Sequence, residues 1–226
     1  MAVPLTLDSI LPKITGKTIL LLGDLSSKRD QLLNQFILNG LHSEGTSTIT
    51  TLISSANDFI DNLKAYSDNA AMLVDDAILN ERLRIIDMYS FRGISEQEVI
   101  PGVHSIGSAD DLTLLSITIN QISKQFPKNR FVIWPFSLLT IYSSQKDMVN
   151  FVQTLSARMA DRKQCTVMLA DTGVLDDKMK AIVESLVDCV IETRREDEHG
   201  NANEALRIKF FRGEETTQFD NWTAIL

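Results

Sequence analysis

Between a wholly apolar run, TILLLG (Thr18–Gly23), and an amphipathic stretch lies the octet GDLSSKRD (Gly23–Asp30). Its residue types suit anion binding. Lys28 and Arg29 stand where a helix would begin, and a helix N-terminus favours negative charge through its dipole and its open N–H groups. The competing reading is two solvated first-turn cations balanced by Asp24 and Asp30, with Ser26 and Ser27 as candidate caps for that helix. A second group is Trp134-Pro135-Phe136, at the end of RFVIW, where an α/β sheet would keep its ligand site. It reads as an apolar pocket or partner surface, or as packing over a disused site. Arg212, before Gly213, is an arginine at a turn with reach into solvent. Ser, His and Asp residues occur, but no nucleophile elbow brings them together. His42, His104 and His199 are scattered, and Cys165 and Cys189 sit in apolar contexts, so two buried thiols are expected rather than a disulfide or a metal site.

The elements that must position these residues alternate between apolar and amphipathic runs, the pattern of a βαβ series with a mainly parallel sheet. Strands are expected at Thr18–Gly23, Ser47–Ile53, Arg82–Asp87, Arg130–Trp134 and Thr166–Ala170. Helices are expected at Lys28–His42, Ala56–Ser67, Leu112–Phe126, Met148–Ala160 and Lys178–Leu186. In Lys28–His42 the residues Leu32, Leu33, Phe36, Ile37 and Leu41 fall at spacings of three and four, which makes one apolar stripe. Met88–Asp110, with Pro101 and three glycines, reads as a loop. Val187–Arg194 and Leu206–Arg212, joined by polar EDEHGNANE, read as an antiparallel hairpin, and a last short strand is expected within Asn221–Leu226. Arg194–Glu198 (RREDE) reads as a solvated hairpin end.

The chain of 226 residues is expected to form one domain over 1–226, with 44% hydrophobic and 23% charged residues, as globular folds have. Neither a membrane span nor a leader is read in it, so a cytoplasmic protein is expected. The net charge of −8 lowers the expectation of nucleic-acid binding, which needs a basic surface.

The order of elements resembles the KaiC-like branch of the RecA family over nearly the whole chain. LDSILPKITGKTILLLG (Leu7–Gly23) is similar to that family's opening into the first core strand. ERLRIID (Glu81–Asp87) resembles the strand after its second helix, and RFVIWPFSLLTIYS (Arg130–Ser143) the strand that ends in the Walker B aspartate. VDCVIETRRE (Val187–Glu196) and LRIKFFRG (Leu206–Gly213) are similar to its C-terminal hairpin. The resemblance implies a three-layer αβα domain with a C-terminal hairpin, a bacterial or archaeal source, and a nucleotide placed between neighbouring subunits.

It also exposes what is missing. A P-loop, GxxxxGK[ST], needs glycines that let backbone N–H groups turn onto phosphates, a lysine, and a hydroxyl for Mg²⁺. Against that pattern only Gly23 survives; Lys28 replaces the second glycine, Arg29 the lysine and Asp30 the hydroxyl. Shifting the register by one makes Lys28 the lysine, but Ser27 then replaces the glycine and Arg29 the hydroxyl. Trp134 stands at the Walker B aspartate and cannot hold a hard cation. The acidic pair after the second strand has no counterpart in LISSAN (Leu52–Asn57), and Asp58 falls inside the next helix. The family's trans-acting hairpin pair is a Lys and an Arg two apart; here Phe210 replaces the lysine while Arg212 remains. The resulting expectation is a pseudo-ATPase without cofactor or metal, scaffolding or regulating through homo-oligomers or through hetero-oligomers with an active paralogue. The alternative is a nucleotide-binding protein or slow ATPase with a non-standard loop around Gly23–Asp30.

Overall fold

The computed structural model describes residues 6–11, 13–25, 27–42, 45–90, 100–198, 201–213 and 220–224. A single turn, α1 (Leu7–Ile10), is closed by a capping box in which Thr6 and Ser9 satisfy each other's backbone N–H groups. β1 (Thr18–Gly23) follows, buried along its whole length, and leads into α2 (Arg29–His42). Next come β2 (Thr46–Thr51), α3 (Ala56–Lys64), α4 (Ala70–Leu79) and β3 (Leu83–Asp87). A short β4 (Val103–Ser105) precedes α5 (Leu112–Gln125), β5 (Asn129–Trp134), α6 (Phe136–Tyr142) and the long α7 (Gln145–Arg162). β6 (Cys165–Asp171) and α8 (Asp177–Leu186) lead to β7 (Cys189–Glu198), β8 (Asn201–Phe211) and β9 (Thr223–Ala224).

Among the described residues the strands form one sheet in the order β4-β3-β2-β5-β6-β1-β7-β8-β9. It is parallel from β4 to β7 and antiparallel across the C-terminal ribbon β7-β8-β9. This is the expected α/β class with its hairpin. Strand alternation divides the core in two. Ile19 and Leu21 face α1–α4, with Phe36, Ile37, Phe59 and Val74. Leu20 and Leu22 face α5–α8, with Leu115, Ile119, Val152 and Met159. Each such leucine, almost wholly removed from water, contributes about 1.5–3 kcal/mol. Both cysteines are free and buried, and burial pushes the Cys165 thiol up to about 12 and the Cys189 thiol further still.

Three departures from the pattern reading have physical reasons. The helix expected over Ala56–Ser67 stops at Lys64, and a second helix, α4, occupies residues 70–79. Its exposed side carries Met72 and Leu79, 76% and 80% exposed, which blurs the amphipathic signal. The segment read as a loop, Met88–Asp110, holds β4, whose His104 and Ser105 are polar because it is the edge strand against β3. Residues 91–99 of that segment lie outside the described residues. Finally, α6 begins directly after Pro135, which stands at its N-cap position and supplies a fixed φ near −80°.

Candidate functional site

β1, β6 and β5 end side by side, so Gly23, Asp171 and Trp134 come together at the C-terminal ends of the parallel strands. Gly23 pairs in register with Asp171, and β6 lies between β1 and β5. This is the end of an open α/β sheet where ligands ordinarily sit.

Arg29 opens α2 and turns back under the loop rather than out to solvent; its side chain is 2% exposed. Its Nη1 donates to the carbonyl of Gly23 at 2.8 Å. Its Nη2 lies 2.6 Å from Asp171 Oδ1 as an ion pair without a well-aligned hydrogen bond. Asp171 Oδ2 accepts from Ser137 Oγ at 2.7 Å, which anchors the carboxylate to the first turn of α6. The Gly23 carbonyl also receives the Thr172 N–H at 2.9 Å. The reading of Arg29 as a solvated first-turn cation is therefore corrected. A charge so far from water persists because a carboxylate and a carbonyl replace its hydration.

The neighbouring octet residues divide into inward and outward groups. Ser27, expected as a cap, instead donates to the Asp24 carbonyl and shares a 2.8 Å hydrogen bond with Thr193 Oγ1 from β7. Ser26 lies outside the described residues. Lys28 is half-buried, and its carbonyl receives the Leu32 N–H at 3.0 Å. Asp30 is half-exposed and accepts the indole N–H of Trp134 at 3.1 Å. Gly23 is crowded: a Cβ there would stand 2.1 Å from Thr193 Oγ1 and 2.7 Å from Ser27 Oγ. The loop is thus closed from below by Thr193, Ser27 and Arg29.

Trp134 and Phe136 part company. The tryptophan packs on Phe59 with ring centroids 5.7 Å apart, whereas Phe136 is fully buried in the α5–α8 core. Trp134, Pro135 and Leu138 wall a cavity of about 460 Å³ together with Leu25, Ile53 and Val174, and with Asp24, Arg29, Asp30, Asp171 and Thr172. A larger cleft of about 620 Å³ between α5 and α7 shares no lining residue with it. After β2, Ser55 caps α3 by accepting the Asp58 N–H, so Asp58 lies in the helix as expected. Asp87, at the end of β3, is 1% exposed and accepts from the N–H groups of Ala56, Tyr89 and Ser90 and from Ser90 Oγ. It holds a turn. Among the described residues no group of three or more His, Cys, Asp or Glu side chains could hold a metal ion.

Arg212 sits at the other end of the sheet. Its Nη2 donates to the carbonyls of Ser185 and Val187, and its backbone N–H to Asp188. The structure does not bring it to Gly23 of its own chain. Asp171, Ser137 and Thr193 are the site residues that sequence reasoning missed. Their one signal was the polar ending of an apolar run, LAD, at Leu169–Asp171.

The sequence description of the KaiC ATPase family matches residues 6–222. The chain belongs to the KaiC ATPase family. Among solved structures, this KaiC-family chain is similar to the flagellar accessory protein FlaH from Methanocaldococcus jannaschii. The TM-score is 0.71 and the identity 14%, over 97% of this chain and 95% of that one, which supports a shared fold. No curated protein matches the sequence. Among the described residues no helix is long and apolar enough to cross a membrane.

Proposed function

We propose that this KaiC-family chain is a non-catalytic subunit of the cytoplasm. It acts as a scaffold or regulator by assembling with itself or with an active paralogue. The observation that carries the reading is the Arg29 guanidinium, buried against the Gly23 carbonyl and Asp171. A phosphate-binding loop directs backbone N–H groups and a mobile lysine at its ligand. Here the cation is consumed internally, and Asp30 and Asp171 present carboxylates that repel phosphate. Trp134 stands where the metal-holding carboxylate of this family would be and is hydrogen-bonded to Asp30. These residues do not fit Mg²⁺–ATP.

The test is calorimetric titration of the protein with ATP and with ADP in Mg²⁺, beside a thermal melt. The expected result is no heat and no shift in Tm. Nucleotide at a hundred times any true Kd would add about 2.7 kcal/mol of stability, an effect a melt detects readily. Saturable, Mg²⁺-dependent binding overturns the proposal. Asp30→Thr alone is expected to leave the protein inert, because Trp134 still replaces the carboxylate.

A further inference from the structure

The cavity at the C-terminal strand ends combines apolar walls with a surplus of negative charge. Trp134 and Leu138 wall it, and Leu25, Ile53 and Val174, which are 82%, 45% and 41% exposed, form its rim. Apolar side chains left open to water around a hollow of about 460 Å³ gain by covering the body of a small molecule. The charged lining is three carboxylates, Asp24, Asp30 and Asp171, against the one guanidinium of Arg29, so negative charge exceeds positive by two. One acceptor in this lining is unmet. Asp171 Oδ1 is shut off from water and receives no hydrogen bond, because Arg29 Nη2, though 2.6 Å away, is not aligned to donate to it. Buried carboxylate oxygens are ordinarily matched by a donor. The aromatic wall is also set in advance. The Trp134 indole is tied to Asp30 by a 3.1 Å hydrogen bond and packs on Phe59.

We propose that this cavity binds a small organic cation, an ammonium group carried on an apolar or aromatic body. The idea rests on the reading above that the cavity is not a nucleotide site. The ammonium donates to Asp171 Oδ1 and offsets the surplus carboxylates, while the body covers Trp134, Leu138 and Val174. Carboxylates set in an apolar hollow attract a cation more strongly than they do in water, because little solvent screens them. An indole face adds attraction for a cation that lies within about 6 Å of its centre. The same field rejects phosphates and carboxylates, so the sign of the ligand's charge is what the site selects. Because Trp134 is already fixed, little side-chain freedom is lost when the ligand enters. A cavity of this volume, with apolar walls and a few convergent polar groups, is of the kind that holds small molecules.

Calorimetric titration of the full chain at neutral pH tests this with three molecules that share an indole body and differ in charge. Tryptamine is the cation, indole-3-ethanol the neutral analogue and indole-3-acetate the anion. Tryptamine is expected to bind saturably at one site per chain, the alcohol about tenfold or more weaker, and the acetate to give no heat. Val174→Arg sets a cation at the exposed rim and is expected to weaken tryptamine about tenfold, whereas Val174→Glu leaves it as tight or tighter. Circular dichroism checks that both variants keep the fold, and the comparison of the three molecules on the wild type stands without them. Equal binding of all three, tighter binding of the acetate, or no binding of tryptamine overturns the proposal, as does a folded Val174→Arg protein that binds tryptamine like the wild type. Titration with ATP separates the two ideas. Heat from ATP sinks the non-catalytic reading whatever tryptamine does, whereas silence with both ATP and tryptamine sinks only the cation site.

Discussion

Arg29→Met replaces the buried guanidinium with an apolar side chain that retains most of its stem. The Gly23 carbonyl loses a charged donor but keeps the Thr172 N–H, so that loss is about 1.5 kcal/mol. Asp171 loses its cation. Removing one partner of a buried pair costs about 3–5 kcal/mol, but Asp171 keeps Ser137 and its side chain is 17% exposed, which brings its share to about 1.5 kcal/mol. The sum is about 3 kcal/mol, or a fall in Tm of about 6–12 °C for a chain of this length. Urea unfolding followed by circular dichroism reads it, with Asp171→Asn and the double variant completing a cycle. The double variant should cost less than the sum of the singles by about 1–3 kcal/mol. If Arg29→Met costs less than about 1 kcal/mol, or the two changes add, the guanidinium is hydrated and the account of the loop fails.

Gly23→Ala should destabilise by about 1–3 kcal/mol, since its new methyl meets Thr193 Oγ1 and Ser27 Oγ; adding Thr193→Ala should recover part of that in chemical unfolding. Asp87→Ala leaves three backbone N–H groups without their buried acceptor and should cost about 3 kcal/mol or more, read as a lower urea midpoint. Cys165 holds its proton to about 12 in the folded protein against an ordinary 9.0, so the folded state binds more protons over that interval. Stability is therefore complete below about pH 9 and falls above it by about 1.4 kcal/mol per pH unit for each such thiol. A flat pH 9–11 profile of unfolding free energy, or native-state labelling of Cys165 by a thiol reagent at pH 8, would contradict this burial.

Much of the fold was legible because burial on both faces leaves unbroken apolar runs. β1 was read to the residue, and β3 and β5 to within one residue at their starts. α4, β4 and α6 escaped for opposite reasons: α4 is too apolar on its open side, β4 too short and polar, and α6 hidden behind a proline. The site was half legible. The residue types at Gly23–Asp30 and Trp134 were visible in the string, but the direction of Arg29 was not. Its partner, Asp171, lies on a strand laid beside β1 only by the tertiary fold, and local pattern carries no information on that pairing. Cations at the start of a helix ordinarily face water, and only a distant carboxylate reverses the preference.

The position of β1 at the heart of the sheet has a consequence for biosynthesis. Both of its neighbours are late in the chain: β6 begins at Cys165 and β7 at Cys189. At ordinary ribosomal speeds of about 5–20 residues per second, the first strand emerges roughly 7–30 s before β6 is complete. Through that interval its apolar residues Ile19–Leu22 have no strand on either side, and long-range parallel pairing is slow to form even afterwards. The nascent protein is thus a natural client for a chaperone that shields short apolar segments, and truncations that end before residue 165 should come out of cells aggregated rather than partly folded.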